Sequence, residues 1–412
     1  MELQWQKEER NDLCFKLALF CIVPFLAFLY SFVRLNTRSS HIILFICACL
    51  YAIAMSPDLT KGIDSVYYVN EFNRVKDLDS YYIKDLYFNY FSKNEYVKDL
   101  YAYTTLYVIS RFTDNYHWMF LAFVVLPAIF CLKVLRYTTV NYKFSLLSVC
   151  ILVIFISRYN MFSINGVRFI AATWLSIYLI VEFYRSNNYR YLILLPIIYF
   201  IHHSTLYVFF LFGLASFSKV FVSVNNKNKL IFAIFTSYFL GSYATEILYV
   251  FVDYLPSNVQ QMVGRYTDAS YMEFIHKDNI TNSWQRRGEF AVRMYINLLV
   301  LTLIYYYDTI YPTNDNFIKR VFAFVVISLF MNNIFASIPA FGIRYLGYLI
   351  PFVVICIANA NRTKFINTLL LLSPFVFFIN AYVLFGYMRS THSPSILYEP
   401  LPLFIYKYLL IP

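Results

Sequence analysis

Long apolar stretches alternate with short charged connectors along almost the whole of this chain, and few folds are open to such a pattern. A bilayer core is about 30 Å thick and takes about 20 apolar residues to cross as a helix, with every backbone polar group satisfied internally. Candidate spans read at 13–33, 41–56, 117–135, 144–158, 166–184, 189–202, 204–218, 229–251, 290–307, 317–337, 345–360 and 364–388. Residues 95–112 form a more polar helix, interfacial or re-entrant. The expected fold is an all-α polytopic integral membrane protein of about 12 transmembrane segments, one membrane domain over residues 1–412. The pair at 189–218 is short for two crossings and long for one, so His202-His203-Ser204 at its middle marks a hairpin apex or a broken helix.

Composition agrees. The 412 residues are 60% hydrophobic and only 14% charged, where a soluble protein carries roughly 25% charge. The net charge of +11 comes from lysines and arginines scattered at segment ends. Such a distribution sets topology rather than binding nucleic acid. All seven cysteines fall inside apolar stretches without a C-x-x-C, which argues against disulfides and zinc. No small-residue cleavage site follows the charged N-terminus, so the first span reads as uncleaved. Walker, G-x-S-x-G, H-E-x-x-H and Rossmann glycine motifs are absent, and no cofactor is expected.

The short connectors 34–40, 133–143, 185–190, 219–229 and 361–364 hold basic residues and no acids, which places them in the cytoplasm. The two long connectors, 57–94 and 253–289, are then extracytoplasmic. Asp64, Arg158, Arg168, His202, His203, Arg293, Arg344 and Arg389 fall at or near outer segment ends. Positive charge collected there, against the topological rule, is the imprint of an outward-facing anion site.

Ionisable groups at membrane depth are costly and by default mark function. Arg168, in Asn165-Gly166-Val167-Arg168, opens a span at a helix N-terminus and has the planar fork that grips phosphate. A snorkelling interfacial arginine is the equal alternative. Arg344, in Arg344-Tyr345-x-x-Tyr348, has the same placement, and Arg293 lies in the first turn of its span. His202 with Ser204 can supply a base or a sugar-hydroxyl ligand, or simply cap the break. Asp64 leads a loop whose other acids read as solvated, and Glu246 sits near the outer end of its span as an ion-pair partner or a base.

Taken in order, Gly62-x-Asp64 with trailing tyrosines, Asn165-Gly166-x-Arg168-x-x-Ala171, His202-x-Ser204 and Arg344-Tyr345-x-x-Tyr348 resemble the EpsG family of Wzy-like bacterial polysaccharide polymerases. Lys61 stands where many relatives place an arginine, and Phe169 where a glutamine is common. The resemblance implies a GT-C-like membrane polymerase of undecaprenyl-pyrophosphate-linked oligosaccharide repeats, building O-antigen, capsule or exopolysaccharide. It acts on the outer face of the bacterial cytoplasmic membrane without metal or nucleotide sugar. The implied partners are membrane lipid, a chain-length regulator and a flippase. It assigns Arg168 and Arg344 to the donor pyrophosphate, His202 and Asp64 to catalysis, and Ser204, Tyr348 and Asn165 to supporting places. Arg293, from its place in the first turn of a span, is expected to join the pyrophosphate arginines, and Glu246, near an outer span end, the supporting residues.

A flippase for the same lipid-linked units is the main alternative. It calls for repeated halves with matching Gly/Pro-broken helices, and neither is visible in the sequence. A glycan ligase shares the donor chemistry and stands beside it.

Overall fold

The computed structural model describes residues 2–58, 64–92, 100–139, 142–163, 166–217, 227–243, 283–312, 315–336, 338, 341–392 and 399–410. Among them the chain is helical, with no strand. Five helices are long and apolar enough to cross a bilayer: His117–Thr138, Val167–Ser186, Arg287–Tyr305, Asn316–Ile334 and Lys364–Tyr382. Large apolar side chains on their outer faces and on neighbouring helices, among them Ile193, Phe232 and Phe375, stand exposed. Lipid tolerates such a surface and water does not. The chain is a helical membrane protein.

Several expected spans are shorter or broken, for local reasons. The 13–33 stretch divides into α1 (Glu2–Ile22) and α2 (Pro24–Ser31) because Pro24 cannot continue a helix and Val23 before it is extended. The 41–56 stretch becomes α3 (Arg38–Ile53), capped by Thr37, whose Oγ1 accepts from the Ser40 amide. Residues 57–94, expected as a loop, carry two helices, α4 (Asp64–Val75) and α5 (Ser80–Phe91). Next come α6 (Tyr101–Ser110), α7 (His117–Thr138), α8 (Leu146–Ile156) and α9 (Val167–Ser186). The 189–218 stretch is α10 (Arg190–Ile201), a single tight turn over His203–Thr205, and α11 (Leu206–Phe217). At 1.5 Å per residue, the 12 residues of α10 rise about 18 Å, too little for the roughly 30 Å core.

The described residues group into two compact units. In the first, comprising 1–148, 159–209 and 384–412, α7 packs between α3 and α9, and α9 carries α10. Trp174 lies fully buried on α9. Helix α4 rests on α6, which rests on α7. A buried cation fixes the α1–α2–α3 turn: Lys16, 0% exposed, donates from Nζ to Asp12 Oδ2 (2.5 Å), Ser39 Oγ (2.8 Å) and Ser40 Oγ (2.8 Å). A charge so buried persists only when fully paired and hydrogen-bonded.

The second unit, 149–158 and 210–383, contains α12 (Lys227–Leu240), α13 (Ser283–Tyr305), α14 (Asn316–Ile334), α15 (Phe341–Ala358) and α16 (Lys364–Leu371). Helix α14 packs against both α12 and α15. Asp315 and Thr363 cap α14 and α16 by accepting from the Phe317 and Ile366 amides. The polar centre is a reciprocal amide pair. Asn297 Nδ2 donates to Asn333 Oδ1 (3.1 Å), Asn333 Nδ2 donates back to Asn297 Oδ1 (2.7 Å), and Asn333 also reaches Ser237 Oγ (3.2 Å).

Candidate functional site

The start of α9 is shaped by one residue. Gly166 takes the left-handed conformation at φ +76°, with nothing within 4 Å of the position a Cβ would occupy. Backbone strain rather than space therefore selects glycine. The turn delivers Val167 and Arg168 into the first turn of α9, with Val167 buried and Arg168 half-buried. Phe169, buried beside it, meets the His202 ring edge-on at 5.6 Å and the Tyr159 ring at 5.1 Å. Helix α9 thus meets the break between α10 and α11 through Phe169, the residue after Arg168.

At that break His202 is extended, and its ring caps the following turn. Nδ1 accepts from the Ser204 amide at 3.2 Å and lies 2.7 Å from Ser204 Oγ. The His203 ring stacks on it at 5.0 Å. Because Nδ1 accepts from an amide, the proton of the neutral ring belongs on Nε2. His202 then presents a hydrogen-bond donor, the wrong form for a general base and the right one for a phosphate or sugar oxygen.

The other wall comes from the segment expected to be a loop. The Leu100 amide donates to Phe200 O (3.0 Å), and Tyr90 and Phe91 of α5 pack on the Phe200 ring. Asp64 opens α4 as an exposed residue, where a carboxylate suits the helix dipole. Tyr67 and Tyr103 join α4 to α6 through their hydroxyls at 2.9 Å. Glu71 is buried and ion-paired with Arg74. That hydrogen bond chiefly raises the Arg74 pKa. The Tyr103 hydroxyl is held well above its ordinary value, first by burial and then by its bond to Tyr67. The Glu71 charge pushes the same way and the Arg168 charge pulls against it. Arg168 and Glu71 therefore each act on the Tyr103 hydroxyl, with opposite sign.

Arg111 fastens this wall. It donates from Nη1 to Leu78 O and from Nη2 to Val75 O and Lys76 O, each at 2.8 Å, so it closes the carboxyl end of α4. Its guanidinium also lies 4.7 Å from the Tyr107 ring.

Arg293, Arg344 and Tyr348 belong to the second unit. The Arg293 Nη2 donates to Asn333 O (3.3 Å) and Tyr238 O (3.5 Å), with the guanidinium 4.7 Å from the Tyr238 ring. A Cβ on Gly241 would lie 2.2 Å from Asn333 O and 3.1 Å from Arg293 Nη2. Arg293, part-buried, thus ties α12, α13 and α14 together. Arg158, another of the outer arginines, faces Glu289 at 4.0 Å. Arg344 is half-buried in the first turn of α15. Tyr348 is a core side chain whose ring packs on Phe352 (5.7 Å) and Phe324 (6.4 Å). Gly62, Asn165 and Glu246 lie outside the described residues.

The sequence offered Tyr67 only as a tyrosine trailing Asp64, and Glu71 only as one of the solvated acids, and it did not point to Tyr103. The signal was present: Asp64, Tyr67, Glu71 and Arg74 recur at helical spacing and so share one face of α4. Among the described residues, no group of three or more His, Cys, Asp or Glu is arranged to hold a metal ion. No protein-family model, curated protein or solved structure matches this chain.

Proposed function

We propose that this chain is an EpsG-like polymerase with about 12 membrane segments. It joins undecaprenyl-pyrophosphate-linked oligosaccharide repeats by glycosyl transfer on the outer face of a bacterial cytoplasmic membrane. The observation that carries the reading is Arg168 in the first turn of α9, directly before Phe169, whose ring meets the capped His202 ring. A helix N-terminus presents amide donors and a partial positive charge, which repels a cation and attracts an anion. An arginine in that first turn adds a planar fork that can hold a phosphate bidentately beside those amide donors. Pyrophosphate is the leaving group of this reaction, so charge develops on it where the donors point.

In this scheme Arg168 holds the departing pyrophosphate bidentately and His202 donates through Nε2 to a phosphate or sugar oxygen. Ser204 fixes the tautomer. The exposed tyrosine of α4 meets the sugar part of the substrate.

The surface glycan of a strain lacking this chain tests the reading. Carriers capped with a single repeat, without long chains, are expected. Loss of all surface glycan would instead indicate a flippase or a ligase and remove the polymerase assignment.

A further inference from the structure

Glu71 is an acidic side chain that the scheme above leaves unused, and its setting is unusual for the segment it comes from. It is 8% exposed, whereas its partner Arg74 keeps most of its side chain in solvent. A half-solvated pair of this kind, three residues apart on a helix, stabilises little, so the ion pair alone does not account for burying a carboxylate. One turn earlier on the same face, Tyr67 is 49% exposed, with its hydroxyl 2.9 Å from Tyr103. The face therefore offers an open aromatic ring, a hydroxyl pair and a carboxylate in sequence. Arg168 is near enough for its charge to act on the same Tyr103 hydroxyl that Glu71 acts on.

A sugar ring laid on an exposed tyrosine turns its hydroxyls outward, towards groups one helical turn away. The two acids and bases singled out from the sequence suit proton removal less well. His202 carries its proton on Nε2 because Nδ1 accepts from Ser204, and Asp64 stands exposed at the start of α4.

We propose that Glu71 is the base of the glycosyl transfer, with the Tyr67 ring as the platform for the acceptor sugar of a lipid-linked repeat. This rests on the polymerase reading. The acceptor O–H bond breaks and its proton passes to the Glu71 carboxylate. The freed oxygen forms the new bond to the anomeric carbon of the donor. The bond from that carbon to the pyrophosphate oxygen breaks, and its electron pair leaves on the pyrophosphate, beside Arg168.

The test uses the full-length protein in proteoliposomes, given lipid-pyrophosphate-linked repeat units extracted from a strain that lacks it. Loss of a general base costs about 10²–10⁴-fold in rate. Glu71→Gln is therefore expected to lower kcat by that factor with the KM for repeat units unchanged. Added formate should restore part of the rate of Glu71→Ala. Asp85→Asn, which removes an exposed acid from α5, should behave as the wild type. A Glu71→Gln rate within tenfold of wild type overturns the assignment. So does a loss that appears as a raised KM or a lowered melting temperature, with no formate rescue, because that is the signature of a structural carboxylate. A wild-type protein that fails to lengthen the repeats at all refutes the polymerase reading itself, and the inference falls with it.

Discussion

Arg168 sits where its own helix opposes it, and that conflict is the most informative single-residue feature of the molecule. Its value to an anion lies in the planar fork, so Arg168→Ala should abolish chain lengthening at unchanged protein level. Arg168→Lys should recover only part of it, since an ammonium is a point charge; full activity of the alanine variant, read on a glycan gel, would remove the phosphate role. Gly166 acts through backbone alone, because a Cβ would meet nothing within 4 Å. Gly166→Ala should therefore cost about 1–2 kcal/mol, and Gly166→Asn less, since asparagine enters the left-handed region more readily. Thermal melting in detergent would reveal the order. At this scale Gly166, Arg168, His202 and Ser204 stood out in the sequence because glycine, charge and polar groups interrupt apolar runs, although snorkelling or helix capping explained them equally well there. Glu71 was not, since a single glutamate among many acids shows nothing until the helix that buries it is known.

Helix α4 is the element on which the candidate site depends, and its carboxyl end is closed by a side chain from α6's far end as well as by its own Lys76 and Leu78 amides. Arg111 satisfies the carbonyls of Val75, Lys76 and Leu78. Arg111→Met keeps the stem but leaves the Lys76 and Leu78 carbonyls to water and Val75 O with the Leu78 amide alone. Hydrogen exchange of α4 amides should rise, with a stability loss of about 1–3 kcal/mol; unchanged exchange would show that α4 holds itself. Arg293 makes the opposite case to Arg168. Its bonds to the Asn333 and Tyr238 carbonyls and its stacking on the Tyr238 ring make it a tie between helices. Arg293→Ala is expected to reduce the amount of folded protein while the surviving fraction keeps its specific activity. A normal yield with lost activity would return Arg293 to the substrate. Hydropathy found the apolar helices and the break at His202, but it read 57–94 as loop. Alternating tyrosines and charges have too little net hydropathy to register as a span, although their helical period was already there in Asp64, Tyr67, Glu71 and Arg74.

For the whole molecule, the helical membrane fold follows from composition, and its five long apolar helices overlap stretches read from the sequence, most of them running a few residues past an expected end. What composition could not show is which charges are structural. Lys16, placed inside the first apolar stretch, is buried among Asp12, Ser39 and Ser40 and pins the first three helices. The topology predicted from the basic connectors puts α5 outside. A cysteine at exposed Ser80 should react with an impermeant maleimide in intact spheroplasts, and labelling only after lysis would invert the orientation. We propose above that this chain lengthens lipid-pyrophosphate-linked glycans at a site anchored by Arg168. Purified protein in proteoliposomes, supplied with single lipid-linked repeats and followed on a gel, decides this. A ladder of longer products is expected from the wild type and single repeats only from an equally well-folded Arg168→Ala variant. No ladder from the wild type, or the same ladder from both, would contradict it.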